Sequence, residues 1–103
     1  KNDFVTINGI LVLYQGDQEN IIIPQNVNKI SGSVFYNNEK ILSVEIPDSV
    51  NEIGNSAFMN CSNLQSLKIP NGVTYIPTDM CCQCDNLQNP KWCYIYSTSP
   101  VTY

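Results

Sequence analysis

The stretch Leu64–Ile76, LQSLKIPNGVTYI, repeats the pattern of Ile41–Ile53, ILSVEIPDSVNEI, at an interval of 23 residues. A partial third copy, IIIPQNVNKI, spans Ile21–Ile30, so Ile23-Pro24, Ile46-Pro47 and Ile69-Pro70 recur at that same interval. Laying the copies over one another aligns Ile21 with Val44 and Leu67, Val27 with Val50 and Val73, and Ile30 with Ile53 and Ile76. Further on, Phe35 and Phe58 meet Cys81, Asn38 meets Cys61 and Cys84, and Ile41 meets Leu64 and Leu87. These phases predict the inward side chains. One copy buries too few of them to offset the entropy of ordering its own backbone, so stability has to come from stacking copies against each other.

Within a copy, Ser43-Val44-Glu45-Ile46 and Ser66-Leu67-Lys68-Ile69 alternate polar with apolar, the pattern of a short strand with one buried face. Pro47 and Pro70 lack an N–H donor and end those strands. A second extended piece is expected around Val50–Ile53 and Val73–Ile76. Between them, Ser56-Ala57-Phe58-Met59 has the length of one helical turn, with Ser56 as its cap. Ahead of the repeats, residues 3–20 alternate around Asn8-Gly9, which predicts a hairpin because Asn and Gly accept the positive φ of a two-residue turn. Gly16-Asp17 is expected to make a second turn. The reading is a β-rich repeat solenoid in one domain, with residues 1–20 as a hairpin cap and 21–40, 41–63 and 64–86 as repeats. Residues 87–103 form a degenerate last coil or C-terminal cap, because Pro90, Trp92 and Ser99 fall on phases held elsewhere by aliphatic residues.

Composition narrows the function. The chain has 103 residues, enough for one domain, with 43% hydrophobic and 14% charged residues, as a folded core needs. Five Lys and Arg against nine Asp and Glu give a net charge of −4, which disfavours nucleic acid and anionic membrane surfaces as partners. No apolar run approaches the length of a membrane-spanning helix. The chain starts at Lys1 without a signal-like segment, as a processed product or a piece of a longer protein would. It contains no histidine, the usual general base and partner of Cys or Ser nucleophiles. A non-enzymatic role is therefore expected, and no cofactor is implied.

The string NSAFMNCSNLQSLKIPNGVTYI, Asn55–Ile76, resembles the leucine-rich repeats of the BspA type, also known as the treponemal class. GILVLYQGDQENIIIPQNV, Gly9–Val27, is similar to the cap and first repeat that open such arrays. The resemblance covers about residues 7–89. It implies a curved, parallel-β leucine-rich-repeat solenoid used for protein recognition and adhesion, secreted or at a cell surface, with a host cell-surface or matrix protein as partner and no catalytic residues. The chain departs from the family pattern at Cys81 on the phenylalanine phase, at Pro77 where an earlier copy has Gly54, and in its tail.

On that reading the outward strand residues Asn20, Ile22, Ser43, Glu45, Ser66 and Lys68 form the candidate contact face. The alternative is a structural or scaffold subunit docking through an aromatic tail, Trp92, Tyr94 and Tyr96, since exposed aromatic patches mark interaction sites. Cys81, Cys82, Cys84 and Cys93 are dense, but they lack the paired two-residue spacing of structural zinc sites, and no metal is expected. In leucine-rich repeats the Asn38, Cys61 and Cys84 phase sits inside and bonds to loop backbone, which makes these core residues. Cys82 and Cys93 are left without a repeat role and are the candidate disulfide if the chain is exported. Glu45 with Lys68, and Lys29 with Glu52, share phases and can attract across neighbouring copies. Asn60-Cys61-Ser62 matches an N-glycosylation sequon.

Overall fold

The computed structural model describes residues 2–77 and 79–87. The chain forms seven short strands: β1 (Phe4–Ile7), β2 (Ile10–Tyr14), β3 (Asn20–Ile22), β4 (Lys29–Ile30), β5 (Ser43–Glu45), β6 (Glu52–Ile53) and β7 (Ser66–Lys68). They pair into two sheets, one in the order β1-β2-β4-β6 and the other in the order β3-β5-β7. β1 and β2 are the expected hairpin, with Asn8 at φ 52° and Gly9 at φ 80° in its turn. Every other pairing is parallel. The register follows the period, with Asn20 beside Ser43 beside Ser66, and Ile30 beside Ile53.

The inward phases form one core. Ile21, Val27, Ile30, Phe35, Ile41, Val44, Val50, Ile53, Phe58, Cys61, Leu64, Val73, Ile76 and Leu87 are all buried. Phe35 stacks on Phe58, centroids 5.2 Å apart and planes 4° from parallel. The column continues back through Tyr14 at 5.3 Å to Phe4 at a further 5.2 Å. Sequence periodicity misses this part of the column. β2 pairs Leu11 with Ile30 at a shorter offset than the repeat interval, so the hairpin supplies the first rung of its sheet without matching the repeat in sequence.

After each Ile-Pro the chain turns back on itself, the N–H of Val27, Val50 and Val73 donating to the carbonyls of Pro24, Pro47 and Pro70 at 3.1–3.2 Å. The second extended piece is shorter than expected, reduced to β4 and β6. Among the described residues no strand forms at 73–76. The cause is Pro77: Gly54 N–H donates to Ile30 C=O at 2.8 Å, and a proline at the equivalent place has no N–H to give. Gly54 itself is required by close approach, because a Cβ there would run into the backbone of Gly32.

Two expectations about turns fail. No helix forms at Ser56–Met59 among the described residues, and Ser56 is not a helix cap. Ser56 and Asn60 both lie near φ 61°, as do Ser33 (65°) and Asn37 (61°) one copy earlier, and Asp79 (64°) and Gln83 (65°) one copy later. Left-handed residues on both sides of a three-residue run exclude a helix. In its place, N–H groups alternate between local turns, such as Tyr36 to Ser33 C=O at 3.2 Å, and the next copy, such as Phe35 to Ala57 C=O at 2.8 Å. This turn arc is thus laddered between copies just as the sheets are. Nor does Gly16-Asp17 make a hydrogen-bonded turn. The crossing from β2 to β3 is irregular and held by Gln15 N–H to Asp3 C=O at 2.8 Å and Gln18 N–H to the Tyr14 hydroxyl at 3.0 Å.

Candidate functional site

Strand alternation builds the site. With Ile21, Val44 and Leu67 turned into the core, Asn20, Ile22, Ser43, Glu45, Ser66 and Lys68 all point away from it on the β3-β5-β7 sheet. They form two rows across the strands, Asn20-Ser43-Ser66 and Ile22-Glu45-Lys68. The first row is tied together where Ser43 Oγ donates to Asn20 Oδ1 at 2.8 Å. In the second row Ile22 is 70% exposed, a large aliphatic surface left to solvent. Glu45 and Lys68 are neighbours in register, yet the ion pair among the described residues is the other expected one, Lys29 Nζ to Glu52 Oε2 at 3.3 Å.

Beside the second row lies a groove of about 500 Å³ lined by Ile22, Glu45 and Lys68 together with Ile23, Gln25, Ile46 and the turn Pro47-Asp48-Ser49. Asn20, Ser43 and Ser66 do not line it. The sequence reading missed Gln25 and the turn residues, treating Ile-Pro only as a strand end. The available signal was that Gln25 and Asp48 share a phase directly after each strand. Ser49 Oγ holds the turn in place by donating to Val27 C=O at 2.6 Å. The groove combines an aliphatic floor with two carboxylates, Glu45 and Asp48, and one ammonium, Lys68. Such a surface suits contact with a polypeptide.

The cysteines sit elsewhere. Cys61 Sγ donates to Phe35 C=O and Cys84 Sγ to Phe58 C=O, each at 3.0 Å, while Asn38 Oδ1 accepts from the N–H of Lys40 (3.0 Å) and Ile41 (3.3 Å). All three brace loop backbone, Cys61 and Cys84 from the core as read from the repeat phase, whereas Asn38 is only half-buried. The hydrogen bond with the Cys84 thiol, then burial, push the Cys61 thiol well above its ordinary pKa. Cys82 is half-buried, with Sγ 3.5 Å from Asp79 Oδ1. Its expected partner Cys93 lies outside the described residues, as do Trp92, Tyr94 and Tyr96. Among the described residues no group of three or more Cys, Asp or Glu is placed to hold a metal ion. No helix among them is long and apolar enough to cross a membrane.

Parallel ladders at a fixed period, an Asn/Cys column bonded to loop backbone and an outward strand face define a domain of the leucine-rich-repeat class. The family model described as "BspA type Leucine rich repeat region (6 copies)" matches residues 12–97, and the chain belongs to that family. Among solved structures, it is similar to the T. pallidum leucine-rich-repeat protein TpLRR, with 26% identity and a TM-score of 0.73 over 76% of this chain. It is also similar to a leucine-rich cell surface protein from Faecalibacterium prausnitzii, with 32% identity and a TM-score of 0.70 over 77% of this chain. The pneumococcal vaccine antigen PcpA shares the fold, with a TM-score of 0.75 over 82% of this chain at 21% identity. This chain spans 39%, 24% and 22% of those three proteins. Among curated proteins none matches.

Proposed function

We propose that this domain is a non-enzymatic protein-recognition module of a secreted or cell-surface BspA-type repeat protein, acting in adhesion through the outward face of the β3-β5-β7 sheet. The observation that carries this reading is the groove beside Ile22, Glu45 and Lys68, where an exposed aliphatic side chain stands among fixed charges on a rigid parallel ladder. The absence of histidine from the whole chain weighs on the same side, since the commonest acid–base and nucleophile-activating group is missing. The solenoid form of the array, with residues 1–20 as cap and 87–103 as a degenerate last coil or C-terminal cap, belongs to the same reading. So does the surface location, which the cell surface protein of F. prausnitzii supports by likeness.

The test uses the purified chain on a cell-surface and matrix protein extract, with retained partners identified by mass spectrometry and re-measured as pure proteins. Replacing Ile22, Glu45 and Lys68 together by Ala is expected to weaken binding at least about tenfold, the loss of a central anchor and its flanking charges. Replacing Trp92 and Tyr96 by Ala is expected to leave it unchanged. The reverse result would move recognition to the tail and make the domain a docking subunit instead.

A further inference from the structure

The two sheets end differently on the side of the hairpin. The first is closed there by β1 and β2, whereas β3 is the end strand of the second sheet and pairs only with β5. Along β3, Glu19 C=O accepts from Ser43 N–H at 3.2 Å and Ile23 N–H donates to Glu45 C=O at 3.1 Å, so the odd-numbered residues bond to β5. Alternation along a parallel strand then turns the N–H and C=O of Asn20 and Ile22 to the opposite edge. No hydrogen bond within the described residues takes them up there. Both residues are exposed, and neither is a proline, a lysine or a bulge, the usual devices that blunt a sheet edge.

The charge around that edge is mostly negative, Lys40 one repeat in from Asp17 being the exception. Asp17 and Glu19 lead into β3 and are exposed, and Glu45 stands next to Ile22 on β5, with Asp48 in the groove beside it. Lys68, the cation on this face, is on β7 with β5 between it and the edge. We infer that the free edge of β3 takes up an extended, basic segment of a partner polypeptide, which adds as a further strand and pairs with the N–H and C=O of Asn20 and Ile22. Backbone pairing supplies the shared part of the affinity, and the acidic residues select lysine or arginine on the incoming strand. A second copy of this chain is a poor occupant, because two-fold antiparallel pairing of β3 about Ile21 would set Glu19 opposite Ile23 and Asp17 opposite Gln25, with no cation to meet either carboxylate. The edge shares Ile22 with the proposed contact face, but its hydrogen-bonding groups are main-chain, so the two readings fail separately.

The experiment titrates the full chain, isotope-labelled, with three synthetic peptides: alternating Lys and Val, alternating Glu and Val, and the Lys/Val peptide interrupted by Pro. Backbone amide shifts and hydrogen-exchange protection locate binding. The Lys/Val peptide is expected to protect the Asn20 and Ile22 amides, to bind at least about tenfold more tightly than either other peptide, and to weaken as salt rises. Asn20→Pro removes one edge donor while leaving the main-chain bonds to β5, and is expected to reduce binding about tenfold relative to Asn20→Ala, which shares its loss of the acceptor for Ser43 Oγ. If the proline variant fails to fold, the double reversal Asp17→Lys, Glu19→Lys is expected to invert the preference between the Lys and Glu peptides. Equal binding of the Glu/Val or Pro-interrupted peptide overturns the inference. So does protection confined to Ser43 and Ser66, or self-association that protects Asn20 and Ile22 without peptide. The Ile22, Glu45, Lys68 triple alanine keeps the edge main chain, so its loss of binding to a protein partner alongside retained edge protection by the Lys/Val peptide separates face from edge.

Discussion

Cys61 shows how one side chain can serve the backbone and be silenced by it. Its thiol is buried, donates to Phe35 C=O, and is held neutral by the neighbouring Cys84 thiol and by burial. Because the folded pKa is raised above the ordinary 9.0, folding disfavours loss of that proton and the unfolded chain does not. The contribution to stability is therefore complete below about pH 9 and is lost progressively as pH rises beyond it. Urea denaturation at pH 7 and pH 10 should show a larger fall for the natural chain than for Cys61→Ala, and Cys61 should resist thiol reagents until the chain is unfolded. Ile53 and Glu52 form a second pair of tests one residue apart. Ile53 is buried between rungs, so Ile53→Asp places an unpaired charge in the core and should cost several kcal/mol, enough to unfold a domain of ordinary stability. Glu52 is exposed and meets only Lys29, so Glu52→Ala should cost under about 1 kcal/mol. Equal damage from the two in chemical denaturation would mean the inward phase is misassigned.

At the scale of elements, what was legible depended on whether the signal was a pattern or a conformation. The strands β3, β5 and β7 could be read because their polar and apolar residues alternate against a fixed core phase. The Asn8-Gly9 hairpin could be read because its turn chemistry is specific. The run Ser56–Met59 reads as one helical turn from its length and from Ser56 as a cap, while the deciding facts are the backbone angles of Ser56 and Asn60. Asn at 37 and 60 was a hint, since Asn tolerates the left-handed region better than most residues. The groove is only half visible for a related reason, because Pro47 reads only as a strand end and the Asp48 and Ser49 that follow it become a surface only in three dimensions. The arc yields a direct test at Ser56. A β-branched residue pays the full penalty of positive φ, so Ser56→Val should lower stability by about 1–2 kcal/mol or more, whereas Ser56→Gly should stay within about 1 kcal/mol of the natural chain. Thermal or urea unfolding of the pair decides it, and equal losses for the two variants would show that Ser56 does not hold a positive φ.

Across the whole molecule, ladders tie each copy to the next: the β3-β5-β7 sheet, the β2-β4-β6 sheet, which stops before the copy at 64–86, and the arc of turns. Nearly all of the cohesion between copies therefore points along one direction, the direction in which copies stack, and little of it crosses from one copy to the next but one. Thermodynamically this makes each copy dependent on its neighbours, which is why single copies in the sequence carry too few apolar side chains to stand alone. It also fixes how the domain answers a pull. Tension applied between the two ends of the stack loads the interstrand hydrogen bonds along their own axes, opening them one rung at a time in the manner of a zipper. A chain anchored at a surface and holding a partner would then yield by successive release of copies, each paying out roughly 80 Å of extended backbone for its 23 residues. Single-molecule stretching should record low, evenly spaced steps of that length, and one tall rupture of the entire domain would show that the copies share load sideways.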